Sequence, residues 1–242
     1  MSNALVKRIL PDLYAIRGWI GWVHLLVDDA GIGLVDSGFI GDGRRIQKAI
    51  RTLGYRSSDL KAILLTHGHL DHTLNAAALQ SWTGAQLYAP VGDELHVEGR
   101  YPYCGPARVC GWLETAGRAV LRYQPPKVDV WMHDGDELPY WGGLRVMALP
   151  GHTAGHVGFY SPSKRVLFVG DAFAASWRIV LPPAILNTDT AAVRQSFLKL
   201  AATEDITLIP AHYFGFDDHF AVRIRAKAKA LRVCLASTAA TR

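Results

Sequence analysis

The sequence predicts an α/β fold in which two mixed β-sheets pack face to face and helices cover their outer faces, an αββα sandwich. Short apolar runs rich in Val, Ile and Leu are separated by Gly and Pro, as in a series of β-strands. Segments with apolar residues at helical spacing follow these runs. The same order of strands and then helices occurs in both halves of the chain, which favours two layered halves within one domain spanning residues 1–242.

The first half of the chain begins with four predicted strands. They correspond to LVKRIL, LYAIRG, WVHLLVDD and GIGLVDSG, and the turn residues between them indicate hairpins. A helix is predicted in DGRRIQKAIRTLG because its apolar residues recur at helical spacing and Gly54 can cap its end. The strand KAILLT comes next. The segment TLNAAALQSWTG is predicted to form a second helix, which ends at Gly84.

The second half contains four further strand candidates, VDVWM, LRVMALP, HVGFYS and RVLFVG. An amphipathic helix around TDTAAVRQSFLKLAA, the short strand TLIP and a basic helix from about Ala221 to Ala236 complete the pattern. The region from Val91 to Lys127 has the least regular pattern. We expect either an irregular connection or a lid beside a functional site there.

Composition and charge limit the classes of function. Half of the residues are hydrophobic, so a large buried core is expected. The formal net charge is +5, but Lys and Arg are scattered rather than clustered, so we expect no nucleic acid partner. No apolar stretch approaches the roughly 20 residues of a membrane span, and the first residues lack the pattern of a secretory signal. We therefore expect a cytoplasmic protein with no membrane partner.

The three cysteines are an odd number, which argues against a disulfide framework. Cys104 and Cys110 are close enough in sequence to pair in an oxidising compartment. Free thiols are the expectation for the cytoplasm.

The strongest functional signal is a set of potential metal ligands at the ends of predicted strands. Seven such side chains follow apolar runs: His67, His69, Asp71 and His72 after AILLT, His152 after VMALPG, Asp171 after VLFVG, and His212 after TLIPA. Strand ends can aim side chains from distant parts of a chain at one point, and imidazoles with carboxylates suit zinc, iron or manganese. Five histidines and two aspartates are sufficient for two metal ions. The alternative is a chance cluster with the last two histidines in turns.

These motifs resemble the metallo-β-lactamase superfamily over nearly the whole chain. HGHLDH matches the HxHxDH signature of the family, PGHTAGH matches PGHTxGH, VGDAF matches its GD segment, PAHYF supplies the last histidine, and VDSG resembles an early DxG turn. The resemblance implies the αββα fold of that family. It also implies two divalent metal ions, one held by His67, His69 and His152 and one by Asp71, His72 and His212, with Asp171 between them.

The activity implied by the resemblance is that of a hydrolase. A hydroxide formed on the metals would attack an ester-like bond in a small molecule: a thioester, a lactone or a β-lactam. Asp71 is implied as a catalytic residue that orients the nucleophile or passes a proton to the leaving group. Zinc is the expected metal, although iron and manganese suit the same ligands. His69 resembles the hydrolases, because flavodiiron-type oxidoreductases of the superfamily have a glutamate at that position.

Two further polar residues near the motifs are left outside the ligand set. His156 lies in PGHTAGH, and buried hydrogen bonding is its expected role. Asp36 lies in VDSG, where a carboxylate suits both capping the turn and orienting a ligand histidine.

Aromatic residues near the motifs are the candidate substrate contacts, namely Trp19, Trp22, Phe173, Trp177, Tyr213 and, by the same argument, Phe214. The two tryptophans lie in GWIGW, which corresponds roughly to a flap in some family members. Packing onto the core is the equal alternative for them. The other aromatic residues follow ligand segments and are expected at the mouth of the site.

Several alternatives remain open. Glyoxalase II enzymes share THGHLDH and PGHTxGH, but typical members continue into a helical glutathione-binding domain, and only 30 residues follow His212 here. A phosphodiesterase or RNA-processing nuclease is a second hypothesis, weakened by the lack of clustered basic residues. A metal-stabilised binding scaffold without catalysis is a third. A homodimer through exposed aromatic residues such as Tyr101 and Tyr103 is also left open.

Overall fold

The structure is a computed structural model that describes residues 5–100, 103–175, 177–213 and 220–240. One sheet has seven strands in chain order: β1 (Val6–Leu10), β2 (Leu13–Arg17), β3 (Trp22–Asp28), β4 (Gly31–Val35), β5 (Leu60–Leu64), β6 (Gln86–Pro90) and β7 (Val130–Met132). Strands β1 to β4 pair antiparallel as successive hairpins, and β4 to β7 pair parallel. The sheet is mixed, as predicted.

A second sheet contains the strands β8 (Glu137–Leu138), β9 (Leu144–Ala148), β10 (Val157–Ser161), β11 (Val166–Gly170) and β14 (Thr207–Pro210). Its order is β14-β11-β10-β9-β8, and only the β11 and β14 pair is parallel. A separate two-stranded ribbon is formed by β12 (Ala174–Ala175) and β13 (Ile179–Val180). The second sheet is therefore mixed as well.

The α-helices of the described residues are α1 (Asp42–Thr52), α2 (Leu70–Thr73), α3 (Ala76–Thr83), α4 (Glu94–Val97), α5 (Arg108–Val120), α6 (Thr190–Ala201) and α7 (Phe220–Ala240). Successive residues of a strand point to opposite faces of its sheet. Leu26 of β3 accordingly packs in the core that contains the second sheet, whereas Leu25 packs in the core with α1 and α3. These helices cover the outer face of the first sheet. The αββα prediction is confirmed.

The structure differs from the predicted elements in three places. VDVWM forms β7 and pairs with the unpredicted β6 in the first sheet, rather than with the strands of the second half. The helix expected in TLNAAALQSWTG is present as α3 and ends at Gly84, but an additional short helix, α2, precedes it inside the histidine motif. The region from Val91 to Lys127, expected to form an irregular connection or a lid, contains α4 and α5. The sequence pattern does not predict α5, because two glycines, Gly111 and Gly117, interrupt its apolar periodicity.

Three other expectations concern surfaces and thiols. No helix among the described residues is long and apolar enough to cross a membrane. Cys104 and Cys110 do not form a disulfide with each other. Tyr103 is half-buried, and its ring lies 6.0 Å from that of His69, so the expectation of an exposed contact residue is wrong there. Tyr101 lies outside the described residues.

Candidate metal centre

The predicted ligands lie at one edge of the two sheets, where several strands end. His67 comes three residues after β5, and His152 comes four residues after β9. Asp171 follows β11 directly, and His212 comes two residues after β14. A 2.9 Å hydrogen bond from the first residue of β10 to the carbonyl of Thr66 joins the sheets at this edge. The topology therefore brings together residues that are far apart in sequence.

The seven residues form two groups. The ligand atoms within each group all lie within 4.8 Å of one another. The first group contains His67, His69 and His152, and the second contains Asp71, His72, Asp171 and His212. The groups adjoin, because Nε2 of His152 lies 3.4 Å from Oδ2 of Asp171.

The separations between nitrogen and oxygen atoms fit ligands that share a cation. Nε2 of His72 lies 3.5 Å from Asp71 and 3.4 Å from Asp171. Nε2 of His212 lies 3.5 Å from Asp71 and 3.3 Å from Asp171. Two atoms bound tetrahedrally to zinc at their usual bond lengths are ~3.4 Å apart. The observed distances are long for hydrogen bonds and match this spacing.

Five of the ligand atoms in the two groups lack hydrogen-bond partners. These buried, unpaired atoms are Nε2 of His67, His69, His72 and His152 and Oδ1 of Asp171. Buried polar atoms are normally paired, because leaving them unpaired is costly. A cation that accepts their lone pairs removes this cost. The residues present therefore fit the metals that the family resemblance implies.

In four of these histidines the other ring nitrogen, Nδ1, donates a hydrogen bond to a neighbouring oxygen atom. His67 donates to the Thr66 hydroxyl at 3.0 Å, and His72 donates to the Asp36 carboxylate at 2.9 Å. His152 donates to the side-chain oxygen of Asn187 at 3.2 Å, and His212 donates to the carbonyl of Ile20 at 3.0 Å. A hydrogen bond of this kind fixes both the tautomer and the ring orientation. The lone pair of Nε2 is thereby directed at the groups.

Asp36 connects the two groups of ligands. The residue is buried, and its φ of 61° lies in the left-handed region, as its turn requires. Its carboxylate accepts hydrogen bonds from the backbone of Thr66 at 2.8 Å, from the Thr66 hydroxyl at 2.9 Å and from His72 at 2.9 Å. The Thr66 hydroxyl in turn accepts from His67. Asp36 therefore shapes the turn and also orients one histidine of each group.

His156 supports the backbone beside the groups without joining them. Its Nε2 accepts a hydrogen bond from the backbone N–H of Asp171 at 3.0 Å, and its Nδ1 donates to the carbonyl of Leu149 at 3.1 Å. Burial lowers its pKa to about 3, so the ring is neutral. The expected hydrogen-bonding role is confirmed.

Charge is distributed unevenly between the groups. Burial, together with neighbouring histidines, holds the pKa values of His67 and His69 well below their ordinary value, which keeps these rings in the neutral form that binds metal. Burial opposes charge on His72, but Asp71, Asp36 and Asp171 raise its pKa well above the usual range. The Asp171 carboxylate raises the pKa of His212 to about 11. The carboxylates of the second group thus stabilise a positive charge beside them, either as a proton on these imidazoles or as a bound cation.

Three buried ionisable residues that the sequence does not single out hold the backbone of the histidine motif. Asp93 accepts a hydrogen bond from the N–H of Gly68 at 2.8 Å, and Glu114 accepts one from the N–H of Leu70 at 2.8 Å. Arg118 donates to the carbonyl of Gly68, also at 2.8 Å. All three belong to the segment between β6 and β7. Because they act on backbone atoms from a distant segment, no spacing in the sequence signals their role.

A cleft of about 640 Å³ opens beside the two groups. Of the predicted substrate contacts, Phe173 lines it. Trp19 is 58% exposed and stacks at 5.5 Å on Phe39, which also lines the cleft.

Trp22, Trp177 and Tyr213 are not in the lining of this cleft. Trp22 and Tyr213 stack on each other with ring centroids 5.0 Å apart, and the Trp22 indole donates to the carbonyl of Tyr213. Trp22 therefore packs against a neighbouring aromatic ring, as in the core-packing alternative given for it above. Trp177 is 88% exposed. Phe214 lies outside the described residues.

A family model described as the metallo-beta-lactamase superfamily matches residues 16–212, which include the ligand-bearing strands of both sheets and all seven predicted ligands. The chain belongs to the metallo-β-lactamase superfamily.

Named relatives and solved structures of the metallo-β-lactamase superfamily resemble the chain over most of its length. Hydroxyacylglutathione hydrolase GloC of Haemophilus influenzae is 27% identical over 194 residues, 76% of this chain and 81% of that protein. A hydroxyacylglutathione hydrolase of Cereibacter sphaeroides is 28% identical over 221 residues, 90% of this chain and 72% of that protein. A metallo-beta-lactamase family protein of Thermus thermophilus superposes with a TM-score of 0.75 at 24% identity, covering 95% of this chain and 82% of that one. The family match and the relatives named as hydrolases together place the chain among the metal-dependent hydrolases of the superfamily.

Proposed function

We propose that this chain is a binuclear metal hydrolase that cleaves a thioester, or a related ester or lactone, in a small molecule. The observation that carries the proposal is the spacing of 3.3–3.5 Å between histidine nitrogens and carboxylate oxygens. The relatives named hydroxyacylglutathione hydrolase favour a thioester over a β-lactam. The likeness to solved lactamase structures supports the fold alone.

In the proposed assignment, one metal is held by His67, His69 and His152, the other by Asp71, His72 and His212, and Asp171 is shared. The position of Asp171 supports sharing, since Oδ1 faces His72 at 3.4 Å and Oδ2 faces His152 at 3.4 Å. Zinc is proposed because the ligand spacing fits its tetrahedral preference. When bound, the two cations supply an activated water and polarise the carbonyl oxygen of the substrate.

Asp71 is the proposed catalytic residue of the chain. Its side chain is 23% exposed and lines the cleft, while Oδ2 lies 3.5 Å from both His72 and His212. A carboxylate in this position can orient water and carry a proton to the leaving sulfur. The reaction forms a bond from the water oxygen to the carbonyl carbon, breaks the carbon–sulfur bond and releases a carboxylic acid and a thiol. Phe39 and Phe173 form apolar parts of the cleft wall.

The test is hydrolysis by zinc-loaded protein of a panel of thioesters, lactones and β-lactams, with and without a chelator. We expect thioester hydrolysis that the chelator abolishes and added zinc restores. A zinc-loaded, folded protein that hydrolyses none of the three classes would refute the proposal.

The alternative hypotheses receive no support from the site. Phosphodiester substrates are bound through cationic side chains, and no lysine or arginine lines the cleft in the described part of the chain. A non-catalytic scaffold does not require Asp71 to face the cleft. A cytoplasmic location, a single domain over residues 1–242 and a homodimer remain predictions.

A further inference from the structure

The cleft beside the proposed metal centre is almost entirely apolar. Apart from the proposed ligands, only Cys110 and Glu114 contribute polar side chains to it within the described ranges. The apolar lining includes Ile20, Phe39, Leu113, Phe173, Val180 and Leu181. No lysine or arginine contributes to it among the residues that the structure describes.

The apolar surface continues to the mouth of the cleft. Ile20, Leu113 and Val180 line the cleft and are also 51%, 67% and 50% exposed. Trp19 extends this surface, because it stacks on Phe39 while 58% exposed. Single exposed apolar side chains are common, but a continuous apolar surface that leads into a cleft marks a binding site. A ligand with an apolar chain covers this surface and removes it from water.

The lining of the cleft beyond the proposed metal ligands offers no cationic side chain to an anionic ligand, in the part of the chain that the structure describes. Its acidic side chains are Asp71 and Asp171, whose charge two bound metal ions would offset, and the buried Glu114. The carboxylates of a glutathione thioester would lose hydration here without a cationic side chain to replace it. A neutral ligand has no such cost.

We infer that the cleft binds the acyl group of the substrate and selects neutral thioesters or esters with a medium-length apolar acyl chain. The inference rests on the proposed hydrolase function and narrows its substrate class. A volume of about 640 Å³ is typical of small-molecule sites. Each CH₂ group that enters the cleft is expected to raise kcat/KM about fourfold until the cleft is filled.

The chain-length series provides the first test. We would measure thiol release from N-acetylcysteamine thioesters of acetate, butanoate, hexanoate and octanoate, and from glutathione thioesters of the same acids. Rising kcat/KM along the neutral series, and lower values for each matched glutathione thioester, are expected. Equal rates along the series, or a preference for glutathione, would overturn the inference.

Two neighbouring residues provide a matched pair of variants. Leu113 and Trp112 are adjacent on α5 and are 67% and 68% exposed, but only Leu113 lines the cleft. Leu113→Lys is expected to flatten the chain-length dependence and to improve the relative rate with glutathione thioesters. Trp112→Lys is expected to leave both unchanged. The same response from both variants would contradict the inference.

Binding of uncleaved analogues separates this inference from the proposed function. S-octyl and S-ethyl thioethers of N-acetylcysteamine cannot be hydrolysed, and their affinities can be measured by calorimetry. Tighter binding of the octyl compound, weakened by Leu113→Lys, supports the inference even if no thioester is turned over. Turnover of thioesters combined with equal affinities for the two thioethers would retain the hydrolase and reject the apolar acyl site.

Discussion

Asp171→Asn is expected to lower kcat/KM for the best thioester by about a thousandfold, and to lower the amount of bound metal. The two ligand groups meet at Asp171. Its carboxylate oxygens lie 3.3–3.4 Å from the Nε2 atoms of His72, His152 and His212. An amide has nearly the same shape but no charge, and one of its two terminal atoms is a donor. It therefore cannot present an oxygen to both metals or offset their mutual repulsion.

The measurement combines kcat/KM with elemental analysis of the same sample. Asp205→Asn is the matched control, because Asp205 is exposed and pairs only with the surface residue Arg165 among the described ion pairs. We expect the control to match the unaltered chain in both readouts. Full activity of Asp171→Asn, with circular dichroism showing a native fold, would remove Asp171 from the proposed centre.

Asp36→Asn is expected to weaken metal binding by about 10- to 100-fold, although Asp36 touches no metal in the proposed assignment. Its carboxylate accepts hydrogen bonds from both Thr66 and His72. Asparagine tolerates the left-handed backbone at this position, but its amide group would meet either the Thr66 hydroxyl or Nδ1 of His72 as a second donor. His72 then loses the bond that orients it. The buried donor left unpaired also costs about 1–3 kcal/mol of folding stability.

Asp42→Asn separates metal binding from stability. Asp42 is equally buried and accepts hydrogen bonds from the backbone of Trp19 at 2.9 Å and of Phe39 at 2.8 Å, but it contacts no ligand histidine in the described part of the chain. Both variants are expected to lower the free energy of unfolding of the metal-free protein. Only Asp36→Asn is expected to lower the affinity for zinc, measured by competition with a chromophoric chelator. An equal loss of affinity in the two variants would show that Asp36 acts only through the fold.

The clustering of the histidines and aspartates can be predicted from the sequence more completely than the lining of the cleft, and the reason is physical. His67, Asp171 and His212 are polar residues placed shortly after buried strands, so both their type and their position are visible in the sequence. Cleft residues such as Phe39 and Leu113 are apolar, as core residues are, and only tertiary packing decides which of them face a ligand.

The same limit explains the errors in the fold. Strong apolar patterns predict most of the strands, but they do not predict pairing partners, which depend on long-range packing. VDVWM is therefore grouped with the second half by its place in the chain, whereas as β7 it pairs in the first sheet. Tyr213 is predicted at the mouth of the site and Trp22 either there or in the core, and the two rings stack on each other. No sequence pattern indicates the structural roles of Glu114 and Arg118, because their hydrogen-bond partners are backbone atoms of a segment far away in sequence.

The proposed centre holds two metal ions in one chain, and counting the bound ions tests this proposal most directly. The measurement is elemental analysis of the unaltered protein after saturation with zinc and removal of loosely bound ions. We expect two zinc ions per chain. One ion or none at saturation, in a folded chain with all seven ligand residues in place, would contradict the binuclear centre and with it the proposed role of Asp171.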